Sequence, residues 1–460
     1  MSVMVGLGNP EQSNTDAVER GTVAQRMDRL PLTWLHLGIV GMAALGFAFD
    51  LMEVALGNVL SAVFSTAPYS VEPIQLSWLL SAMYIGAIPG ALLSGWLADR
   101  FGRRGVLISI LLVLSATSMA AAASPDINSL IFWRVLSGLA LGAYPPLMMA
   151  FLADLMPPGK RGMLITMTAG IAGLGPVAMI FLVRALTESQ PFGIEAWRWA
   201  FVLGGAGSLL TAIGYGLLPE SPRWLSARGR TLEANRAVAR FERSTHVIAD
   251  SPTNRPVSRE PSQSSFHLGG SRPQLKRFGL VAAIYFLTPW ATVAFPLLMG
   301  AVLIEKGFAL SDSLLYVGVS MFGPAVGTII GAFFVDRFER RFALIGFALG
   351  MIAATAVFAA SFDPIWLVAS GVAVQLLAML YLPTMTTYAA ELFPTSWRAR
   401  TSTAAWSVNR VASALAPLVL LPLMKTHGVW PMFAVMIASL IIGILLVAVA
   451  PNGRAGQAVE

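Results

Sequence analysis

The sequence predicts an all-α membrane protein whose twelve transmembrane helices form two pseudo-symmetric six-helix bundles. Three observations predict it. Hydrophobic residues make up 56% of the 460 and charged residues only 12%, against about 25% charged in a soluble domain. The apolar residues fall into twelve blocks, each near the ~20 residues a helix needs to cross a bilayer. These centre near residues 49, 86, 114, 140, 175 and 207, then 289, 323, 351, 378, 412 and 439. Finally, two separate motifs recur at one fixed offset of 237 positions, the mark of a duplicated six-helix unit.

The first 32 residues are polar, lack an apolar run with a cleavage site, and are expected to be a disordered cytoplasmic tail (1–32). The first bundle follows at 33–225. Its first span carries FAFDLMEVAL, in which Asp50 and Glu53 stand three residues apart amid apolar sequence. An ionisable group inside a span costs at least ~2.5–3.5 kcal/mol on insertion scales and marks a pathway or relay by default. Residues at i and i+3 share a helix face. Span two holds Gly86 and Gly90, and span four holds Gly138 and Gly142, pairs whose spacing permits close helix packing. Between spans two and three lies WLADRFGRR, with Asp99, Arg100, Arg103 and Arg104. Span four contains Arg134 and ends in YPPLMMAFLADLMPPGKR, with Asp154 and Arg161. Span five contains GIAGLGP, and PESPRW at 219–224, with Glu220 and Arg223, closes the half.

Residues 226–275 form a cytoplasmic linker in which TLEANRAVARFER has helical spacing and the remainder is Ser- and Pro-rich. The second bundle occupies 276–451 and a cytoplasmic tail 452–460. Here FFVDRFERR repeats the first motif, with Asp336, Arg337 and Arg341. YLPTMTTYAAELFPTSWR repeats the second, with Glu391 and Arg398. Glu339 replaces Gly102, and glutamate resists the φ > 0 turn that glycine permits. The acids of span one have no counterpart, since Leu287 and Trp290 stand at their offset positions. Span eleven instead holds a lone cation, Arg410.

Of the 31 Lys and Arg, 25 lie in segments assigned to the cytoplasm. This is the positive-inside pattern, so the net charge of +7 reports topology rather than a nucleic-acid partner. An even number of spans then places both termini in the cytoplasm. With no cysteine, thiol catalysis, disulfides and Cys-type metal sites are excluded. No nucleophile–base pair, metal cluster or nucleotide loop in a suitable context points to an enzyme, a cofactor or a metal.

The DRFGRR loop resembles the signature of the major facilitator superfamily. The elements from Asp154 to Arg161, from Glu391 to Arg398, and PESPRW resemble the branch of sugar porters, organic-ion carriers and metabolite:proton symporters. The resemblance implies a transporter in the plasma (bacterial inner) membrane, taking a small-molecule substrate with protons and working as a monomer. It also implies that the loop charges form a ring of ion pairs closing the cytoplasmic side. Topogenic charge and helix capping are the plainer alternative. Proton symporters of this branch carry an acid in span one and an Arg in span four, so Asp50, Glu53 and Arg134 are expected to couple protons; a structural ion pair is the alternative. Aromatic-acid symporters have an acid pair at this spacing, with Asp second and Gly after the first, where this chain has Glu53 and Leu51.

Arg410 is a candidate anchor for an anionic substrate, with snorkelling or a carbonyl contact as the alternative. Gln375, Tyr381, Thr384 and Tyr388 in span ten, with Tyr285 and Trp290 in span seven, would complete an aromatic-lined site. Three functions remain in view: proton-coupled import of a small organic anion, proton-coupled export of drugs or organic cations, and a non-transporting sensor with a carrier fold. Hexose uptake is disfavoured, because VAAIYFLTPWATVAFPLL of span seven lacks amide donors.

Overall fold

Each apolar block folds as a helix, the form in which a chain satisfies its own backbone groups where water is absent. The computed structural model describes residues 22–244, 272–334, 339–393 and 395–450, of which 272–274, 332–334 and 395–400 are described by backbone alone. It contains twelve helices long and apolar enough to cross a membrane. The first six are Trp34–Val63, Pro73–Phe101, Arg103–Ala122, Ile127–Leu155, Arg161–Ser189 and Ala196–Leu217. The second six are Leu275–Glu305, Leu310–Gly331, Arg340–Ala360, Pro364–Glu391, Thr401–His427 and Val429–Val449. Every expected centre falls inside its span.

Within the first half, spans two and four pack most intimately. A Cβ on Gly86 or Gly90 would strike the carbonyls of Val135 or Leu139, and one on Gly138 or Gly142 those of Met83 or Ala87. The four glycines therefore bring the two backbones into contact. The halves meet where span one packs on span seven, span two on span eleven and span five on span eight. Gly300 receives the Asn58 carbonyl, which lies 2.7 Å from where a Cβ would stand. Arg184 of span five donates to the Ser311 carbonyl at 3.0 Å. Both contacts lie toward the end of the bundle remote from the charged loops.

Among the described residues three spans are broken. Span five breaks at Gly173, span seven around Pro289–Thr292, and span eight at Met321. In spans five and eight a proline three residues on, Pro176 and Pro324, explains the gap, because it offers no N–H to the preceding turn. In span seven Pro289 stands inside the break and Pro296 lies three residues past its end at Val293. At Pro289 the deprived carbonyl is that of Tyr285, which instead accepts from Asn409 Nδ2 at 3.1 Å.

Residues 23–29, expected within the disordered tail, are helical. Thr22 and Gln25 form a reciprocal capping box, and Met27 is buried. Arg26 forks onto Glu242 at 2.8 and 2.9 Å, and Asp28 pairs with Arg223 at 2.6 Å. The partner helix Thr231–Arg243 is the one expected from TLEANRAVARFER. These short helices cap the end of the first half that carries the charged loops.

Candidate functional site

Span one delivers both acids to the middle of the bundle. Glu53 and Arg134 are fully buried and paired at 3.1 Å. Arg134 also donates to the Glu53 carbonyl at 3.1 Å, and Ser118 donates to the other carboxylate oxygen at 3.1 Å. Phe201 supplies a ring 5.8 Å from the guanidinium. The charges of this pair are thus matched and hydrogen-bonded within the first half, with Arg134 Nε left without a partner.

Asp50 stands apart from it. Its side chain is equally buried, yet Oδ1 has no hydrogen-bond partner. The cation whose field reaches Asp50 is Arg410 of span eleven, in the opposite half, and the neighbouring anion is Glu53. Arg410 is only partly buried. Tyr84 of span two lies within the fields of both Arg410 and Arg134. Tyr144 lies near Asp50 and shares a 3.1 Å hydrogen bond with Tyr215. The three predicted coupling residues are therefore neighbours, but the arginine opposite Asp50 is Arg410.

The predicted substrate residues divide. Tyr285 packs edge-on against Trp406 at 5.6 Å, and its carbonyl accepts from Asn409, residues four and one positions before Arg410 on span eleven. Tyr381 lies near Tyr285 and Thr288, the Thr288 hydroxyl itself donating to the Ile284 carbonyl at 2.8 Å. Trp290 is partly buried and packs on Phe286. The Thr384 hydroxyl is occupied by the Leu380 carbonyl at 2.8 Å. Tyr388 lies near Arg341 and Glu391, at the charged-loop end. Gln375 is buried at the break of span eight with its Nε2 unpartnered.

At the charged-loop end, Arg103 pairs with Asp154 and donates to the Ala150 carbonyl at 2.7 Å. Both Glu220 oxygens accept the Arg104 backbone N–H at 3.1 Å, while the Arg104 guanidinium caps the Gly216 carbonyl at 2.8 Å. Ser221 donates to Asp154 at 2.7 Å, and Arg223 bridges the Asp154 carbonyl to Asp28. The Asp99 carbonyl accepts from Trp224 and Arg228. Arg100 lies over the Trp96 and Phe101 rings, and Arg161 Nε is buried without a partner.

In the second half Glu391 pairs with Arg340 at 3.5 Å, and Arg341 caps the Ala448 carbonyl. Arg340 is the offset counterpart of Arg103, and Glu391 that of Asp154. Each half thus repeats one design, in which the first arginine holds the acid ending its fourth span. The second arginine caps the carbonyl end of its sixth span, where a cation suits the helix dipole. The pairs just described are formed within a half. Asp336, Arg337 and the Arg398 side chain lie outside the described residues.

Arg340 was missed by the sequence reading, although the repeat offset points to it. Asn409, Trp406, Tyr84 and Ser118 were also missed. They carry no charge, and only the packing of spans brings them to the site. Among the described residues no group of three or more His, Cys, Asp or Glu could hold a metal ion.

Comparison with known proteins agrees with this architecture. The chain is 27% identical over 416 residues to the niacin transporter NiaP of Acinetobacter baylyi, covering 88% of this chain and 91% of that one. It is 30% identical over 239 residues to the arabinose-proton symporter of Bacillus subtilis, about half of each chain (49% and 50%). The partially occluded, inward-open xylose transporter XylE from E. coli shares the fold, with TM-score 0.71 and 18% identity over 92% of this chain and 99% of that one. The family model described as Sugar (and other) transporter matches residues 32–451, and the chain belongs to that family, the major facilitator transporters of twelve membrane spans.

Proposed function

We propose that this transporter imports a small organic anion together with a proton, Arg410 binding the anion's carboxylate and Asp50 carrying the proton. The observation that carries the reading is the division of partners. Arg134 is engaged by the Glu53 carboxylate, whereas Asp50, its Oδ1 unpartnered, lies in the field of Arg410 from the opposite half. While Asp50 is ionised it competes with an entering anion for Arg410. Once it is protonated, Arg410 is free to fork onto a substrate carboxylate, the geometry in which guanidinium binds best. Proton and anion then favour each other's binding. A coupling of about 1–3 kcal/mol, or ~5–150-fold in affinity, is the usual size of such linkage.

The relatives support this reading from two sides. NiaP carries niacin, an aromatic carboxylic acid, and the arabinose relative is a proton symporter. The bias of Lys and Arg toward the charged loops supports cytoplasmic termini, with the paired loop charges at the cytoplasmic end. A site assembled from the two halves of one chain needs no second subunit, which makes the monomer the working unit.

The test follows external pH in lightly buffered, de-energised cells expressing the protein, while carboxylates, sugars and organic cations are added one at a time. Alkalinisation on adding a carboxylate, lost in Asp50→Asn, is the expected result. Acidification on adding a cation would replace import by exchange for internal protons. Carboxylate uptake with no pH change would remove the proton from the account.

A further inference from the structure

The break in span eight is satisfied differently from the break in span seven. In span seven the carbonyl deprived by Pro289 is taken up by Asn409. In span eight Pro324 deprives the Ser320 carbonyl of its helical donor, and no side chain among the described residues donates to it. The polar groups around this break are under-used as well. Ser320 Oγ is fully buried without a partner, and so is Nε2 of Gln375, which is 4% exposed. Asn58 of span one is also 4% exposed, and its amide reaches only the Met321 thioether at 4.0 Å, well beyond an ordinary amide hydrogen bond.

The surrounding packing converges these groups. Ser320 lies against Gly371, and a Cβ on Gly323 would stand 3.1 Å from the Gln375 Cβ. Span ten thereby lies against span eight on either side of Met321, at the Ser320 hydroxyl through Gly371 and backbone to backbone at Gly323. Spans one, eight and ten each present one neutral polar side chain to the same break. In a membrane interior every unpaired polar group carries a desolvation cost that something must offset. Asn58 lies eight residues beyond Asp50 on span one, ~12 Å further toward the end remote from the charged loops. That separation is comparable to the length of a small ring-bearing acid plus its contacts.

We infer that the break of span eight is a second, uncharged subsite, at which Gln375, Ser320 and Asn58 hydrogen-bond a polar group at the end of the substrate far from its carboxylate. The inference rests on the proposed function, in which Arg410 holds that carboxylate. It makes the substrate a two-ended molecule, charged at one end and hydrogen-bonding at the other. The amides supply donors, and the Ser320 hydroxyl and carbonyl supply acceptors, so a hydroxyl or a ring nitrogen would be accommodated and a purely apolar end would not.

Uptake of benzoate, 4-hydroxybenzoate and pyridine-3-carboxylate, acids of similar size that differ in the far group, tests this in the full-length protein. Wild type is expected to favour one polar-ended acid over benzoate by about tenfold or more in KM. In Gln375→Met and Ser320→Ala that preference should shrink toward unity while benzoate uptake persists, which also shows that the variants fold. An unchanged preference would overturn the subsite. So would equal loss of all three acids, since the groups would then serve packing or movement instead. If no acid is carried but a neutral polar solute is, the anion reading fails separately. The subsite is then judged by the same variants, with that solute and its deoxy analogue.

Discussion

At the residue scale, two carboxylates three positions apart have different partners and should respond differently to substitution. Glu53 is sealed in with Arg134, and removing one member of a buried pair leaves an uncompensated charge, at a cost of about 3–5 kcal/mol. Glu53→Gln and Arg134→Gln are therefore expected to lower the melting temperature and folded yield of the purified protein markedly, as followed by thermal unfolding in detergent. Asp50→Asn, lacking such a partner, should melt near wild type yet alter transport. Equal destabilisation by all three would show that the acids act as one unit. Gly102 offers a second contrast. It adopts φ +94° with a Glu220 oxygen 2.5 Å from where a Cβ would stand, whereas its counterpart Glu339 takes an extended φ of −61°. Gly102→Ala should loosen the Glu220 contact, detectable as faster proteolysis of the linker, while Glu339→Gly should leave it unchanged. The sequence revealed the acids, the arginines and the special glycine. It could not reveal their partners, because Asp50 to Arg410 and Glu53 to Ser118 are contacts between spans that no local pattern encodes.

At the element scale, the interlock of spans two and four depends on four glycines whose neighbours are backbone carbonyls, which cannot rotate away. Gly138→Val should cost at least the ~1–3 kcal/mol typical of overpacking and reduce the folded fraction in size-exclusion profiles. A neutral result would mean that the helices can separate freely. The spacing alone made this packing legible. The outer-end cluster was not legible, since Tyr69 between spans one and two meets Glu195 and Trp197 at the start of span six, and Arg198 there donates to the Ala122 and Ser124 carbonyls after span three. Burial alone would push Glu195 up, but hydrogen bonds from Tyr69 and Arg198 outweigh it and hold the carboxyl below its usual 4.5. A lowered pKa contributes stability that is present above the usual value and lost as pH falls through the folded one. Melting curves between pH 7 and pH 3.5 should therefore show a shallower acid decline in Glu195→Gln than in wild type. The broken helices show the same limit of sequence reading. Prolines 289 and 324 announce interruptions, but only the fold shows that Asn409 answers one of them.

At the scale of the whole molecule, the duplication was read directly from the constant offset, and it extends to chemistry. Arg103 with Asp154 and Arg340 with Glu391 are the same device twice. The halves diverge in their intramembrane charges, with Asp50, Glu53 and Arg134 in the first and Arg410 in the second. On the proposed function, transport depends on the charge relation between Asp50 and Arg410 across the halves, which changes with the protonation of Asp50. The most direct measurement is the affinity of purified protein for a transported carboxylate across pH, in wild type and in Asp50→Asn. The account predicts wild-type affinity that weakens as pH rises, and Asp50→Asn affinity that stays high and flat because Arg410 is permanently released. The same pH slope in both proteins, or loss of binding in Asp50→Asn, would contradict it.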